Sequence, residues 1–266
     1  HGNWKYLRLY DCNRHSEIVL DVIRSEKLDF KVMLGAFIEA EIGNFDCPWG
    51  GVYPQETLNR NKTKNKDKIT KLIRLSREFE DVVFAVSAGN EATVEWTDHL
   101  VPVDSVIKYV RKLKENINQP VTFCENYLPW LGKLEPLVSE VDFISIHTYP
   151  VWEHKSIHDS MDCTISNYNQ VEERYPDKPV MITEAGWATL SNGRGINPAN
   201  VSEEYQEIYF DKLTKWSSRE GIISFFFEAF DEPWKGSPDE LEPEKHWGLY
   251  KENREPKRAI KSTFGG

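Results

Sequence analysis

The chain alternates between two kinds of segment, and that alternation limits what it can fold into. Short apolar runs rich in β-branched and aromatic residues occur at Trp4–Tyr10, Lys31–Ile38, Val82–Ala88, Pro120–Glu125, Val141–His147, Lys178–Thr183 and Gly221–Glu228. Segments of helical period separate them. Val103, Val106, Ile107, Val110 and Leu113 recur at spacings of three and four, which puts them on one face of a helix. Ile69, Leu72, Ile73 and Phe79 do nearly the same. A further helix is expected after Asn200, with Asn200 as its cap and Glu203 three residues on. Tyr205, Ile208, Tyr209, Leu213 and Trp216 give that helix an apolar face. The stretch Asn59–Lys68 reads as a solvated loop and helix start, and Pro233–Lys245 as a long polar loop.

Strands separated by helices must run parallel, because a tight turn can join only antiparallel neighbours. Continuous apolar runs suit strands buried on both faces. No glycine-rich phosphate loop follows the first run, so a dinucleotide fold is disfavoured. The expected fold is α/β, a (β/α)8 TIM barrel, formed as a single domain over residues 1–266. Only seven runs are found where a closed barrel has eight strands. Either one run escapes the reading or the first strand lies outside this chain. The sequence begins abruptly at His1, close to a strand, as it would after removal of a leader.

Composition narrows the function. The 266 residues suit one large barrel. A net charge of −10 argues against nucleic acid and against an anionic membrane as partners. No apolar run is long enough for a transmembrane helix. Cys12, Cys47, Cys124 and Cys163 form no CxxC pair, which disfavours a zinc or redox motif. Cys124 reads as a buried thiol, and Cys12 and Cys47 could pair if their loops meet. Nine Trp and eleven Tyr suit sugar binding, although composition alone does not show it.

In such barrels the reactive groups stand at the C-terminal ends of the strands. The ends here carry Tyr10-Asp11, Gly89-Asn90-Glu91, Glu125-Asn126-Tyr127, His147-Thr148-Tyr149, Thr183-Glu184-Ala185-Gly186-Trp187, and the stretch from Glu228 to Lys235. This lip has carboxylates, amides and aromatics but no serine nucleophile elbow. His154 and His158 share one loop and no His-x-His pair exists, so no catalytic metal and no cofactor are expected. His147 is expected to pack near the site or to donate to a carboxylate. Two carboxylates facing each other can hydrolyse a glycosidic bond, one protonated to assist the leaving oxygen and one ionised to attack. Glu91 and Glu184 are the natural pair, and Asn90 can bond the sugar 2-hydroxyl. The bland alternatives are solvated strand ends for the two glutamates, a packing role for Tyr149, a surface ion pair for Glu232 and Lys235, and core positions for the tryptophans.

Gly89-Asn90-Glu91 and Ile182-Thr183-Glu184-Ala185-Gly186-Trp187 resemble the two catalytic signatures of glycoside hydrolase family 17, the β-1,3-glucanases. Leu9-Tyr10-Asp11, Ile146-His147-Thr148-Tyr149-Pro150, Phe230-Asp231-Glu232-Pro233-Trp234-Lys235 and the stretch from Glu244 to Tyr250 resemble further family motifs in the same order. The resemblance implies a retaining endo-β-1,3-glucanase, with Glu184 as nucleophile and Glu91 as acid/base. It implies Asn90, Tyr10, Tyr127, Tyr149, Trp187, Glu232 and Lys235 as substrate-binding residues, with Glu244 more distant. Trp130 and Trp152 are further candidates for stacking on sugar rings. In the family's clan these carboxylates follow strands four and seven. Here they follow the third and sixth runs, an offset that agrees with a first strand before His1. A monomer acting on β-1,3-glucan, secreted or periplasmic, is expected. The rivals are a glucanosyltransferase on the same scaffold, a non-catalytic glucan-binding barrel and, more remotely, a metal hydrolase.

Overall fold

A computed structural model describes residues 4–264; His1 lies outside the described residues. Along the chain the elements are β1 (Tyr6–Leu9), α1 (Arg14–Ser25), β2 (Lys31–Gly35), α2 (Gln55–Glu78), β3 (Val83–Asn90), α3 (Val103–Lys114), β4 (Val121–Asn126), α4 (Tyr127–Trp130), α5 (Glu135–Val138), β5 (Ile144–Thr148), α6 (Ser160–Arg174), β6 (Val180–Ala185), α7 (Glu203–Glu220), β7 (Ser224–Phe226) and α8 (Arg258–Phe264). Among the described residues the sheet has seven strands in chain order, β1 to β7. The β1–β2, β2–β3, β3–β4 and β6–β7 pairs are all parallel, as the intervening helices require. The described residues divide into two compact units: 4–146 with 171–180, and 147–170 with 181–264.

In the first unit Val32, Met33, Leu34, Val86, Val121 and Phe123 are buried on successive strands. Buried side chains on both strand faces explain the unbroken apolar runs. Helix α3 buries Val106, Tyr109, Val110 and Leu113, the face expected from its spacing. Helix α2 differs from expectation: it starts at Gln55, directly after Pro54, and runs through Asn59–Lys68. The solvated loop and helix start expected over Asn59–Lys68 is helix throughout, although asparagine side chains compete with the helical backbone. Two of them instead serve the loop after β2. Asn61 Nδ2 donates to the Ala40 carbonyl at 3.0 Å. Asn65 Nδ2 donates to the Glu39 carbonyl and to Glu41 Oε1, each at 2.9 Å.

In the second unit α7 buries Tyr209, Phe210, Leu213 and Trp216. Its cap is Ser202, whose hydroxyl accepts from the Tyr205 N–H at 3.0 Å. Asn200, expected there, instead closes a 3-10 turn over Pro198–Asn200. Gly221 ends α7 at φ +70°, a left-handed position that favours glycine. This stop shortens β7 to three residues, against the longer run expected from Gly221. Cys12, Cys47, Cys124 and Cys163 are all free thiols. The Cys12 and Cys47 thiols donate to the carbonyls of Lys68 and Trp96, so the possible pairing is not formed.

Candidate active site

Glu184 is the fifth residue of the six in β6 and is 5% exposed. Its backbone is therefore fixed by the strand, while its carboxylate receives two neighbours from the end of β5. The Tyr149 hydroxyl donates to Glu184 Oε2 at 2.5 Å. His147 Nε2 lies 3.4 Å from Oε1, and the imidazole is fully buried. This is the carboxylate partner expected for His147, whereas His154 and His158 are exposed on the following segment. Tyr149 is held in turn by edge contacts to Phe227 and Trp247, with ring centroids 5.9 and 5.2 Å away. The glycine of the motif has a steric cause: a Cβ on Gly186 would sit 2.2 Å from the Phe227 carbonyl oxygen.

Past β7 stands a charged cluster. Lys235 Nζ contacts Glu228 Oε2 at 3.2 Å and also pairs with Glu232. The expected Glu232–Lys235 contact is thus present, and it is neither isolated nor fully exposed. Glu228, which the sequence places on the lip without a role, joins it. Burial pushes the Glu228 carboxyl up to about 8, against the pull of Lys235, with the charges on Glu232 and Glu184 adding to the rise. Burial works against the Lys235 ammonium, but Glu228 and Glu232 outweigh it and hold its pKa above the ordinary value. Asp231, in the same motif, has a different role. Its Oδ1 accepts from buried Lys257 at 2.7 Å and from the Gly248 N–H at 3.0 Å, tying the chain end to the strand end. A cavity of about 910 Å³ opens beside Asp231 and Lys257, lined also by Glu203, Lys245 and Lys251; Glu184 does not line it. Glu244 lies on the 3-10 turn Pro243–Lys245.

The other candidate carboxylate, Glu91, belongs to the first unit, where it directly follows Asn90, the last residue of β3. It is half-buried and sits at φ +45°, a left-handed conformation that a residue with a Cβ adopts at a cost of about 1–3 kcal/mol. Its N–H donates to the Cys124 carbonyl at 2.9 Å. The Asn90 side chain accepts from Arg8 through Oδ1. The Asn90 carbonyl meets His99 Nε2 at 2.9 Å. The Arg8 guanidinium lies 4.1 Å from the centre of the half-buried Tyr10 ring. Residues two apart on a strand share a face, and that spacing was the available signal for Arg8. Glu125, at the next strand end, is fully buried, and its carboxyl is pushed up to about 7 by burial and by the charge of Glu91.

Several aromatic assignments need correction. Trp187 is 0% exposed and cannot stack on a sugar; its indole N–H donates to the Asn200 carbonyl at 2.9 Å, and its ring packs on Tyr209. Trp130 is equally buried, donating to the Ser145 carbonyl at 3.0 Å. Tyr127 is buried at the start of α4. Tyr127 lies directly past β4, Trp130 at the end of α4 and Trp187 two residues past β6, and at all three positions the ring is packed inside the fold rather than presented on the lip. Trp152 keeps partial exposure, packed against Trp247 and over Gly195.

Comparisons with known proteins agree with this frame. The family model of the BtgE/BtgC glycoside hydrolase domain matches residues 2–248. A curated relative from Arthroderma benhamiae, named glucan 1,3-beta-glucosidase, is 26% identical over 191 residues, covering 67% of this chain and 61% of the relative. Another, from Aspergillus clavatus, carries the name "Probable glucan endo-1,3-beta-glucosidase btgC" and is 27% identical over 283 residues, covering 96% of this chain but 36% of its own length. The chain thus spans only part of these relatives. Among solved structures, an endo-laminarinase from Formosa Hel1_33_131 superposes with a TM-score of 0.80 at 25% identity, covering 99% of this chain and 80% of that one. A glycoside hydrolase family 17 β-1,3-glucanosyltransferase from Rhizomucor miehei superposes with a TM-score of 0.73 at 23% identity, covering 96% and 85%. The fold is that of a (β/α)8 TIM barrel, with seven parallel strands among the described residues.

Proposed function

Because the chain belongs to the BtgE/BtgC glycoside hydrolase family, we propose that it cleaves β-1,3-glucan internally with retention of configuration. Glu184 attacks the anomeric carbon and forms a glycosyl-enzyme. Glu91 protonates the departing oxygen, then takes the proton of the incoming water as that water releases the sugar. Retention by this route needs the two carboxyl groups about 5–5.5 Å apart. The observation that carries the reading is the tethering of Glu184, an almost buried carboxylate on a rigid strand with Tyr149 donating to one oxygen. Such a group is restrained in orientation, as a nucleophile must be to approach one carbon. Asn90 supplies its amide to the 2-hydroxyl, a contact that strengthens as positive charge develops on the sugar. Lys235, between Glu228 and Glu232, balances the negative charge near the nucleophile.

The proposed substrate is a polymer that does not cross membranes, which favours an exported enzyme, secreted or periplasmic. Among the described residues no helix is long and apolar enough to cross a membrane. Reducing ends released from laminarin, beside the Glu184→Gln variant, test the reading. Turnover lost in the variant supports it. Binding of laminarin without turnover by the unaltered chain would replace it with a glucan-binding role. Products longer than the substrate, at high concentrations of a defined laminari-oligosaccharide, would favour a glucanosyltransferase, in which a sugar hydroxyl takes the place of water.

A further inference from the structure

We propose that Glu125 is a positioning residue for Glu91, acting through the turn Glu91-Ala92-Thr93; this rests on the acid/base reading of Glu91. Glu91 leaves β3 in a left-handed conformation, φ +45°, which the chain would relax if nothing held it. The restraint comes from the neighbouring strand. Glu125 Oε2 accepts from both the Thr93 N–H, at 2.9 Å, and the Thr93 hydroxyl, at 2.7 Å. Its Oε1 accepts from the Asn126 N–H at 2.8 Å. One residue earlier, the Cys124 carbonyl accepts the Glu91 N–H at 2.9 Å. Two successive residues of β4 therefore grip the first and third residues of the turn. Glu125 and Thr93 are both fully buried, so the grip is made in a dry, low-dielectric setting where such bonds are strong.

The grip uses both oxygens of the carboxyl group as acceptors. Three donors converge on two oxygens, and no donor on Glu125 is needed. An amide at this position would turn an N–H2 toward at least one donor. Burial and the charge of Glu91 both raise the Glu125 carboxyl, so a carboxylate is an expensive choice here unless it does something. Holding the acid/base in a conformation it would otherwise leave is the role the geometry supports. A small displacement of a proton donor is costly where the leaving group needs the proton, and nearly free where it does not.

The test compares two substrates in the full chain. One is a laminari-oligosaccharide, whose departing alkoxide needs protonation. The other is 2,4-dinitrophenyl β-laminaribioside, whose phenolate departs without it; its glycosylation step is followed as the burst of dinitrophenol. With Glu125→Gln, kcat on the oligosaccharide is expected to fall about tenfold to a hundredfold with KM little changed, while the burst rate stays within about threefold. Thr93→Val removes one of the three donors without altering Glu125, and is expected to shift the same ratio less. Glu125→Asp, which keeps the carboxyl group, is expected to retain more activity on the oligosaccharide than Glu125→Gln. Equal losses on both substrates, or none on either, would overturn the positioning role. Should Glu125→Gln fail to fold, the Thr93→Val ratio decides the matter. Glu91→Gln is run alongside: selectivity there but not in Glu125→Gln rejects only this proposal, and no selectivity in Glu91→Gln rejects the acid/base reading and this proposal with it.

Discussion

The Tyr149 hydroxyl donates to Glu184 Oε2 across 2.5 Å, so a tyrosine at the end of β5 fixes the orientation of a nearly buried carboxylate on β6, the next strand in the chain. A hydrogen bond to an ionised acceptor contributes about 1.5–3 kcal/mol. Tyr149→Phe is accordingly expected to lower kcat on laminarin about tenfold to a hundredfold. The ring contacts to Phe227 and Trp247 survive that change, so the melting temperature should stay within a few degrees. Steady-state kinetics and a thermal melt on the same preparation check both halves. Unchanged kcat would reduce Tyr149 to a packing residue.

Glu228 predicts a pH dependence of stability. Its folded pKa, about 8, lies above the ordinary carboxyl value of 4.5. The folded chain thus keeps a proton that the unfolded chain has released. The associated stability is present below the unfolded value and lost as pH rises through the folded one. Urea denaturation midpoints should fall between about pH 5 and pH 8 in the parent protein. Glu228→Gln should reduce that fall, most clearly between pH 7 and pH 8 where the raised Glu125 carboxyl adds little, and an equally steep slope there in the variant would contradict the assignment.

Trp187 separates fold from binding. It is wholly buried with its indole N–H satisfied. Trp187→Ala should therefore cost about 3–5 kcal/mol of stability, read as a lower urea midpoint. The part of the preparation that remains folded should bind laminarin with unaltered affinity. A selective loss of affinity, with stability intact, would return Trp187 to the sugar site.

The Asp231–Lys257 pair should be a structural one. Lys257 is almost fully buried, and burial lowers its pKa despite Asp231. Lys257→Ala would leave Asp231 without its charge partner, at a cost of about 3–5 kcal/mol. Losses in kcat should follow the loss of folded protein and no more, checked by active-site titration against total protein.

Much of the barrel was legible because parallel strands and their helices write different periods into the sequence. The seven runs and the α3 face were read directly, as was the placing of Glu91 and Glu184 at strand ends. What was not legible depended on contacts between distant residues. The asparagines of α2 look like loop formers until Ala40 and Glu39 are seen accepting from them. Trp187 looks like a sugar platform until the chain folds back over it at Asn200. Glu228 and Glu125 are ordinary acids in sequence, and only burial beside Lys235 and Thr93 marks them out.

The most direct measurement of the central claim is trapping of the glycosyl-enzyme. The chain would be incubated with a 2-deoxy-2-fluoro laminaribiosyl donor bearing an activated leaving group, then digested and analysed by mass spectrometry. The account predicts a mass increase of one fluorinated disaccharide on the peptide containing Glu184, absent from Glu184→Gln. Label on another carboxylate, or steady turnover of laminarin to products of inverted anomeric configuration, would contradict it.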